Sequence, residues 1–332
     1  TLDGTLFPYT TLFRSCSIYQ NSALSGGGIV NYMSTVYLSG NSIFNNRSHF
    51  SGTLYSFQAH TIFDPLKLNS IYNNYSTKAL DILIQECETT YPVYLDTLSV
   101  QLNSVDGYFI NSLSNMGIVC PPFSVSSLHS AFQTINHDLY VAPWGDDDND
   151  GLSSASPLKN IAYAAKIIES DSLNPKTIYL AEGIYTRSLN QIAIPFELKN
   201  HTSLTGVSPD NTIIDLENQE GFFISLFDKN NVKIKNISLR NSVSHTGNSG
   251  IDILRSEDIT VKNINFSHGC SIAGTGILAI DSSELILEDI VIRNNETFDG
   301  PVAGILINYY GEDNKTCYLN NIVLVANLLI DN

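Results

Sequence analysis

The sequence predicts an all-β solenoid, in which short strands stack coil upon coil around one apolar interior. Three observations support this prediction: two series of short repeats, regular alternation of apolar and polar residues within them, and a charged fraction of only 15%. A strand with one buried face alternates in this way, and a single repeat of two such strands cannot bury that face alone. Stacked repeats can, because neighbouring coils cover one another.

The clearer series lies in the second half of the chain. Four segments share one pattern: Val232–Leu239, Ile259–Phe266, Leu285–Ile292 and Cys317–Leu324. In each, apolar residues alternate with other residues up to an Asn or Asp, which is followed by Ile. This Ile recurs at intervals of 27, 26 and 32 residues. A second series runs in phase with it, and each copy begins with glycine: Gly221, Gly250, Gly276 and Gly304. We expect the apolar residues of both series to face inward.

Each copy of the first pattern carries a carboxamide or carboxylate at one position: Asn236, Asn263, Asp289 and Asn321. Asn tolerates the left-handed backbone that a sharp corner needs, and stacked Asn side chains can hydrogen-bond along a solenoid. We therefore predict that these residues form a structural ladder at one corner of successive coils.

The first half contains a second series. Ser17, Ser42 and Ser70 each begin a segment of the form Ser-Ile-aromatic-polar-Asn, and Ser99 begins a degraded fourth copy. Apolar pairs between the copies supply further inward faces: Val36 with Leu38, Leu66 with Leu68, and Val93 with Leu95. This half is predicted to have the same architecture in a more irregular form.

The two ends of the chain are predicted to be unnatural. Thr5–Ser15 matches in full the first-frame translation of a widely used sequencing adapter, so residues 1–15 are excluded from the fold prediction as a non-native segment. The last repeat stops at Asn332 without a polar cap. We expect a fragment whose signal peptide and further coils are missing.

Between the two series, Pro121 and Pro122 interrupt the strand pattern, because prolines do not fit a central strand. Ser156 as N-cap and Pro157 at the first helical position then predict an amphipathic helix near 157–169 that covers the first rung. The predicted organisation is a non-native segment (1–15), the C-terminal part of a first β-helix (16–123), a linker (124–137) and a second β-helix (138–332).

Composition limits the partners. The net charge of −16 argues against nucleic acid and anionic membranes, which need clustered Lys and Arg. No apolar run is long enough to span a bilayer, so membrane insertion is not expected. Five scattered cysteines form no C-x-x-C pair and are expected to be free thiols: Cys16, Cys87, Cys120, Cys270 and Cys317. We expect a monomer.

The segments Leu139–Gly145, Ser156–Ile161 and Lys176–Tyr185 resemble the opening segment of secreted right-handed parallel β-helix proteins of the pectin-lyase-like fold. The resemblance is to a branch whose first domain has no established function. The Gly26–Val30 segment with Asn41–Asn46 is similar to repeats of bacterial surface β-helices, including polymorphic outer-membrane proteins and autotransporter-like adhesins. These resemblances imply about three strands per coil and an extracellular or cell-surface location.

The same resemblance suggests two kinds of catalytic site. Pectate lyases of this fold bind Ca²⁺ through carboxylates on one sheet and use an arginine base; the candidates by residue type are Asp252, Arg255, Asp281 and Arg293. We expect these to be solvated turn residues, because they do not recur at equal rung positions. Polygalacturonase motifs are missing except for Ser267-His268-Gly269, and His268 is expected in a loop.

The densest carboxylate cluster is Asp146 to Gly151. Oxygen ligands at alternate positions suit a hard cation, so Asp146, Asp148 and Asp150 are a candidate calcium site. The position of the bidentate Glu of an EF-hand is Pro157, which excludes that motif. The alternative is a solvated turn rich in Asp and Asn.

The sequence therefore favours a non-catalytic β-helix that binds a polysaccharide or cell-surface glycan, or that is structural. The alternative is a polysaccharide lyase or glycoside hydrolase acting on a pectin-like or other acidic polysaccharide. A groove with three or more Asp, Arg, Lys or His on adjacent rungs would favour an enzyme. A flat face of Asn, Thr, Tyr and Ser would favour binding, whereas a structural stalk predicts no exposed aromatic row.

Overall fold

The computed structural model describes residues 10–23, 25–48, 51–76, 78–87, 92–102, 106–113, 123–190, 195–245, 247–272, 274, 276–298, 304–310 and 315–330. The chain divides into two compact units, Thr1–Gln133 and Thr134–Asn332. Each is a stack of short parallel strands. Cys120, one of the five predicted free thiols, lies outside the described residues, and the other four form no disulfide bond with one another.

Within its described residues, the first unit contains three sheets, which we number 1 to 3, and one two-stranded pairing. Sheet 1 has the order β1-β5-β9, sheet 2 the order β14-β12-β10-β6-β2, and sheet 3 the order β13-β11-β8-β4, while β3 pairs with β7. The strands are β1 Thr10–Arg14, β2 Ser17–Tyr19, β3 Ser22–Ala23, β4 Ile29–Tyr32, β5 Thr35–Ser39, β6 Ser42–Phe44, β7 Arg47–Ser48, β8 Leu54–Phe57, β9 His60–Phe63, β10 Asn69–Tyr72, β11 Ile82–Gln85, β12 Val93–Leu98, β13 Ile110–Leu113 and β14 Val125–Ser130.

The second unit contains two sheets. Sheet 4 has 12 strands along the main path β15-β16-β19-β22-β24-β27-β30, and sheet 5 has the order β18-β21-β23-β26-β29. The elements are β15 Leu139–Val141, α1 Ile161–Ile167, β16 Lys176–Leu180, β17 Gly183–Thr186, α2 Arg187–Asn190, β18 Phe196–Glu197, β19 Thr202–Thr205, β20 Thr212–Glu220, β21 Ile224–Phe227, β22 Asn230–Ser244, β23 Ile251–Leu254, β24 Glu257–Ser267, β25 Cys270–Ser271, β26 Ile277–Ile280, β27 Ser283–Arg293, β28 Glu296–Phe298, β29 Ile305–Asn308, β30 Cys317–Val325 and β31 Leu328–Ile330.

The predicted register of the second unit is confirmed. Ile237 pairs with Ile264, Ile264 with Ile290, and Ile290 with Ile322, all in parallel. The first three of these side chains are fully buried, and Ile322 is half-buried because β30 is the last strand of the described path. A Cβ at Gly250 would collide with the carbonyl oxygen of Gly276, which explains the glycine of the second series.

The corner ladder of the second unit is also confirmed. Asn236, Asn263, Asp289 and Asn321 have φ angles of 59°, 55°, 54° and 50°. Asn263 Nδ2 donates to Asn236 Oδ1 at 2.9 Å, and Asn321 Nδ2 donates to Asp289 Oδ1 at 2.8 Å. These residues therefore combine a left-handed corner with hydrogen bonds between coils.

The first unit has a buried counterpart of this ladder. Asn46 Nδ2 donates to Asn74 Oδ1 at 3.3 Å, and Asn21 Nδ2 donates to Asn46 Oδ1 at 2.9 Å. A parallel pair joins Asn41 Nδ2 to Asn69 Oδ1 at 2.9 Å. These amides satisfy backbone groups inside the turns, as when Asn46 Nδ2 donates to the Ile18 carbonyl oxygen at 2.8 Å.

Two details predicted for the first unit are wrong. The fourth rung aligns Ser70 with Thr97 rather than with Ser99, and the register shifts by one residue between Asn69 and Ser70. Leu66 is 87% exposed rather than inward. Asp64 Oδ1 accepts from the N–H groups of Leu66 and Lys67 at 2.9 and 3.2 Å, and this turn holds Leu66 away from the core.

The predicted linker 124–137 also differs from the structure. Val125–Ser130 forms β14, which pairs in parallel with β12. Val125 is buried in the core of the first unit, whereas Ser126, Leu128 and His129 are exposed. A strand at the edge of a stack needs few inward apolar residues, so its composition resembles that of a connector.

The predicted cap helix is present but shorter. Helix α1 spans Ile161–Ile167, and its N-cap is Asn160 rather than Ser156. Asn160 Oδ1 accepts from Ala162 N and Tyr163 N at 2.9 and 3.2 Å, while Leu158 forms a β-bridge with Val141. At the other end, Lys199 Nζ donates to the carbonyl oxygens of Lys166 and Ile168, both at 2.8 Å.

Candidate functional site

The four lyase candidates do not form one site. Arg255 lies at a corner, where Nε and Nη2 donate to the two Asp228 carboxylate oxygens at 2.9 and 2.7 Å. Asp281 follows on the next coil and accepts from Tyr310 N at 2.8 Å. Asp252 lies on β23 of sheet 5, whereas Arg293 ends β27 of sheet 4. Arg255 and Asp281 therefore belong to a corner ladder together with Asp228, which the sequence analysis did not identify.

Asp252 has the clearest electrostatic perturbation of the four. Burial raises the pKa of its carboxyl group to about 6, although Asn248 Nδ2 donates to Asp252 Oδ1 at 2.8 Å and opposes the shift. A carboxyl group that titrates near neutral pH is a feature of general acids, and it also occurs at structural positions.

A row of lysines lies on the outer face of sheet 4. Lys235 is in register with Lys262, and Lys262 is in register with Glu288; Lys233 lies beside them on β22. The hydrogen bond from Lys262 Nζ to Glu288 Oε2 at 2.7 Å raises the pKa of the lysine. A lysine base at neutral pH needs a lowered pKa, so this row is better suited to ion pairing than to proton transfer.

The acidic loop has two sides. Asp146, Asp148 and Asp150 are exposed, whereas Asp147 and Asn149 are half-buried. Asp147 Oδ1 accepts from Lys159 N and Asn160 N, both at 2.9 Å, and thereby fixes the start of α1. Asn149 Nδ2 donates to the Pro157 carbonyl oxygen at 2.8 Å. The sequence analysis missed both structural roles.

The exposed carboxylates of the loop also contact backbone. Asp146 Oδ1 accepts from Asp148 N, and Asp150 Oδ1 accepts from Leu152 N, both at 3.0 Å. Across the described part of the chain, no three His, Cys, Asp or Glu side chains form a group suited to a metal ion. The calcium assignment of Asp146, Asp148 and Asp150 remains a prediction.

The outer face of sheet 2 carries a continuous row of aromatic rings. Tyr19 stacks on Phe44 with ring centroids 5.2 Å apart, and Phe44 stacks on Tyr72 at 5.3 Å. A shorter row on sheet 3 pairs Tyr32 with Phe57 at 5.1 Å. Stacking between rungs stabilises the coils, and it leaves ring edges and hydroxyl groups toward solvent.

A row of hydroxyl side chains runs beside the aromatic row of sheet 2. Ser17, Ser42, Ser70 and Thr97 are in register on β2, β6, β10 and β12. Thr97 Oγ1 donates to Asp96 Oδ2 at 2.9 Å, and Ser70 Oγ donates to the same oxygen at 3.3 Å. We call this outer surface of sheet 2, from Ser17 to Ser130, the aromatic face.

A groove of about 360 Å³ lies at the β12–β14 end of the aromatic face. Its lining consists of Pro65, Leu68, Tyr94, Leu95, Ser126, Ser127 and Leu128. Tyr94 is 41% exposed and Leu128 is 65% exposed. An apolar recess with a few hydroxyl groups at its edge is a usual form of a small-molecule site.

Sequence reasoning could have found only part of this face. The repeated segments already place Tyr19, Phe44 and Tyr72 at one position of successive copies. The groove, in contrast, depends on the loop at Pro65 and on the strand β14, which the prediction treated as an inward face and as a linker. No local pattern brings these two segments together.

Parallel strands stacked in register around an apolar interior define the class of this protein: a parallel β-helix, as the sequence predicted. The right-handed sense of the coils remains a prediction, and it is the usual sense for parallel crossovers. Within the described ranges, no helix has the length and apolar character needed to cross a membrane.

Comparison with known proteins gives little further information. No protein-family model and no curated protein matches the chain. A solved structure of a mutant pectin methylesterase in complex with a hexasaccharide shares 13% identity over 58% of this chain and 67% of its own, with a TM-score of 0.32. The PL6 family alginate lyase AlyGC shares 8% identity over 97% and 70%, with a TM-score of 0.24. Likeness at this level does not transfer an activity.

Proposed function

We propose that this chain is a non-catalytic, secreted or cell-surface β-helix protein that binds a glycan through the aromatic face. The observation that carries the proposal is the exposed Tyr94 groove on sheet 2, whose outer surface also carries a row of Tyr and Phe rings and a row of Ser and Thr hydroxyl groups. Sugars present both apolar C–H faces and hydroxyl groups, and this surface offers a partner for each.

The exposed aromatic rows argue against a purely structural stalk. Tyr19 and Tyr32 are 50% and 60% exposed, at positions where any polar side chain would keep the coil soluble. Inward packing cannot account for them, because the inward positions of the same strands are held by Ile18, Ile29 and Asn31. A binding role gives these rings a function outside the core.

The test is binding of the whole chain to polysaccharides, measured by affinity electrophoresis and calorimetry. We expect Tyr94→Ala to weaken glycan binding at least about tenfold, which is the effect of losing one well-placed contact. Tyr179→Ala removes a comparably exposed tyrosine, 38% against 41% for Tyr94, from the second unit and is the matched control. Equal binding by wild type and Tyr94→Ala would contradict the proposed site.

A second candidate function rests on Asp252. Its raised pKa favours a lyase or hydrolase in which this carboxyl group is the proton donor. Release of unsaturated or reducing ends from a polysaccharide, abolished in Asp252→Asn and retained in Tyr94→Ala, would establish this function instead. No product from the wild type over a broad polysaccharide panel is the result expected for a binding protein.

A further inference from the structure

The strand that bears Tyr94 contains a bulge. Asn69 on β10 is in register with Leu95, but the next residue, Ser70, is in register with Thr97. Asp96 is the extra residue. Leu95 and Leu98 both point into the core, so Asp96 and Thr97 both lie on the outer surface between them. Bulges of this kind redirect side chains and are frequent beside functional sites.

The bulge places a carboxylate on the same face of the strand as Tyr94, beyond the residues that line the groove. Tyr94 and Asp96 lie two residues apart on one strand and on one face, which corresponds to roughly 7 Å along the strand. The Asp96 side chain is 44% exposed. Hydrogen bonds from Ser70 and Thr97 orient its Oδ2 atom, and His129 Nδ1 lies 3.4 Å from Oδ1. A carboxylate has about four acceptor sites, so further donors can bind to it.

The neighbouring rung leaves the Tyr94 ring open. Tyr94 is in register with Ser126 on β14. In the aromatic row, which lies at another position along the strands, Phe44 covers the ring of Tyr19. A serine at this position is too small to cover a ring, and the space above it is the groove. The ring therefore lines the recess as an apolar platform, and the Asp96 carboxylate lies two residues further along the same face of the strand as an acceptor.

The local charge disfavours an acidic ligand. Among the described residues, the charged and titratable side chains on the turn and strands that form the groove include Asp96, His129, Asp64 and Lys67. Partial burial raises the pKa of Asp64, but hydrogen bonds from Leu66 N–H, the Ser39 hydroxyl and Lys67 N–H outweigh this effect and lower it. Two carboxylates thus face one lysine at neutral pH, within a chain whose net charge is −16.

From this geometry we infer that the groove binds an uncharged sugar unit, and that Asp96 determines this specificity. The inference rests on the proposed glycan-binding function and names its ligand class. The sugar ring packs on Tyr94, and its hydroxyl groups donate to the Asp96 carboxylate in charge-assisted hydrogen bonds. A uronate unit in the same place brings a second carboxylate against Asp96, and this like-charge contact opposes binding.

The experiment compares neutral oligosaccharides, such as xylo-, manno- and cello-oligosaccharides, with oligogalacturonate of matched length. Calorimetry with the whole chain in low and high salt measures each affinity for the wild type, Asp96→Asn and Glu257→Gln. Glu257→Gln removes one exposed carboxylate from the second unit and serves as the charge-matched control. Thermal melting checks that each variant folds.

We expect the wild type to prefer a neutral oligosaccharide over the uronate by at least about tenfold. Asp96→Asn should bind the neutral oligosaccharide about tenfold more weakly and should discriminate less against the uronate. Glu257→Gln should change neither the affinity nor the discrimination.

A wild type that binds oligogalacturonate more tightly, in a Tyr94-dependent manner, would overturn this inference and leave the proposed function intact. If no sugar binds in a Tyr94-dependent manner, both the inference and the proposed function are overturned. The occupant of the groove would then be a protein surface.

Discussion

The two units share their interior chemistry and differ in what they present outside. Both bury alternating aliphatic residues in parallel register, and both use left-handed corner residues to turn the chain. On its outer faces the first unit stacks uncharged rings, as in Tyr19, Phe44 and Tyr72. The second unit pairs opposite charges, as in Asp228 with Arg255 and Lys262 with Glu288.

This difference shows that the solenoid requires apolar side chains at inward positions, whereas the side chains at outward positions can vary with function. In an ion pair between rungs, each charge is neutralised by its partner and is not offered to a ligand. Such exposed pairs also contribute little to stability. A ring row leaves hydroxyl groups and edges available to a ligand. The first unit is therefore the better candidate for binding, even though the second unit has the more regular coils.

The largest expected effect concerns the shared interior. Ile264→Asp should destabilise the second unit by about 3 to 5 kcal/mol, because it buries a charge in a fully apolar position. Thr260→Asp places the same side chain on the outer surface of the same strand and should cost well under about 1 kcal/mol. Denaturant unfolding of both variants measures the difference. Similar stability for the two would show that the inward assignment is wrong.

The next comparison is between the buried and the corner ladders. Asn46→Ala should cost about 3 kcal/mol, because the Asn21 N–H group and the carbonyl oxygens of Ile18 and Phe44 lose the partner that the Asn46 side chain provides. Asn263→Ala removes a corner side chain with one hydrogen bond to Asn236 and forces alanine to a φ of 55°, for which we expect about 1 to 2 kcal/mol. Chemical denaturation measures both variants. A larger loss of unfolding free energy for Asn263→Ala than for Asn46→Ala would contradict the proposed order of the two ladders.

A smaller effect depends on pH. The pKa of Asp252 is about 6 in the folded chain, above its unfolded value of 3.8. Its contribution is therefore fully present below about pH 4 and is lost as the pH rises through 6. The free energy of unfolding of Asp252→Asn should rise by about 1 to 2 kcal/mol relative to that of the wild type between pH 4 and pH 7. The effect is smaller than the pKa shift alone would give, because the side chain is only half-buried. A pH-independent difference between the two proteins would argue against the raised pKa.

The smallest expected effect belongs to the acidic loop. If Asp146, Asp148 and Asp150 hold Ca²⁺ weakly, a concentration about ten times the Kd stabilises the fold by about 1.4 kcal/mol, or a few degrees in Tm. Asp148→Asn should abolish this increase. Calorimetry that gives equal melting in Ca²⁺ and in chelator would remove the calcium assignment.

The sequence predicted the parts of the fold that periodic burial controls. The register of Ile237, Ile264 and Ile290 and the left-handed corner at Asn263 follow from local pattern alone. The bulge at Asp96 does not, because the spacing of three between the inward Leu95 and Leu98 is as compatible with the end of a strand as with an inserted residue. The N-cap at Asn160 was missed for a similar reason: Asp147, far along the loop, holds the backbone there and moves the start of the helix.

Hydroxyl-radical footprinting of the whole chain, with and without a neutral oligosaccharide that binds to it, tests the central claim most directly. It measures the solvent exposure of individual side chains. We expect protection of Tyr94 and Leu128 in the first unit, and unchanged oxidation of Trp144 and Tyr318, which are 66% and 59% exposed in the second. Protection confined to the second unit would contradict the assignment of the aromatic face as the binding surface.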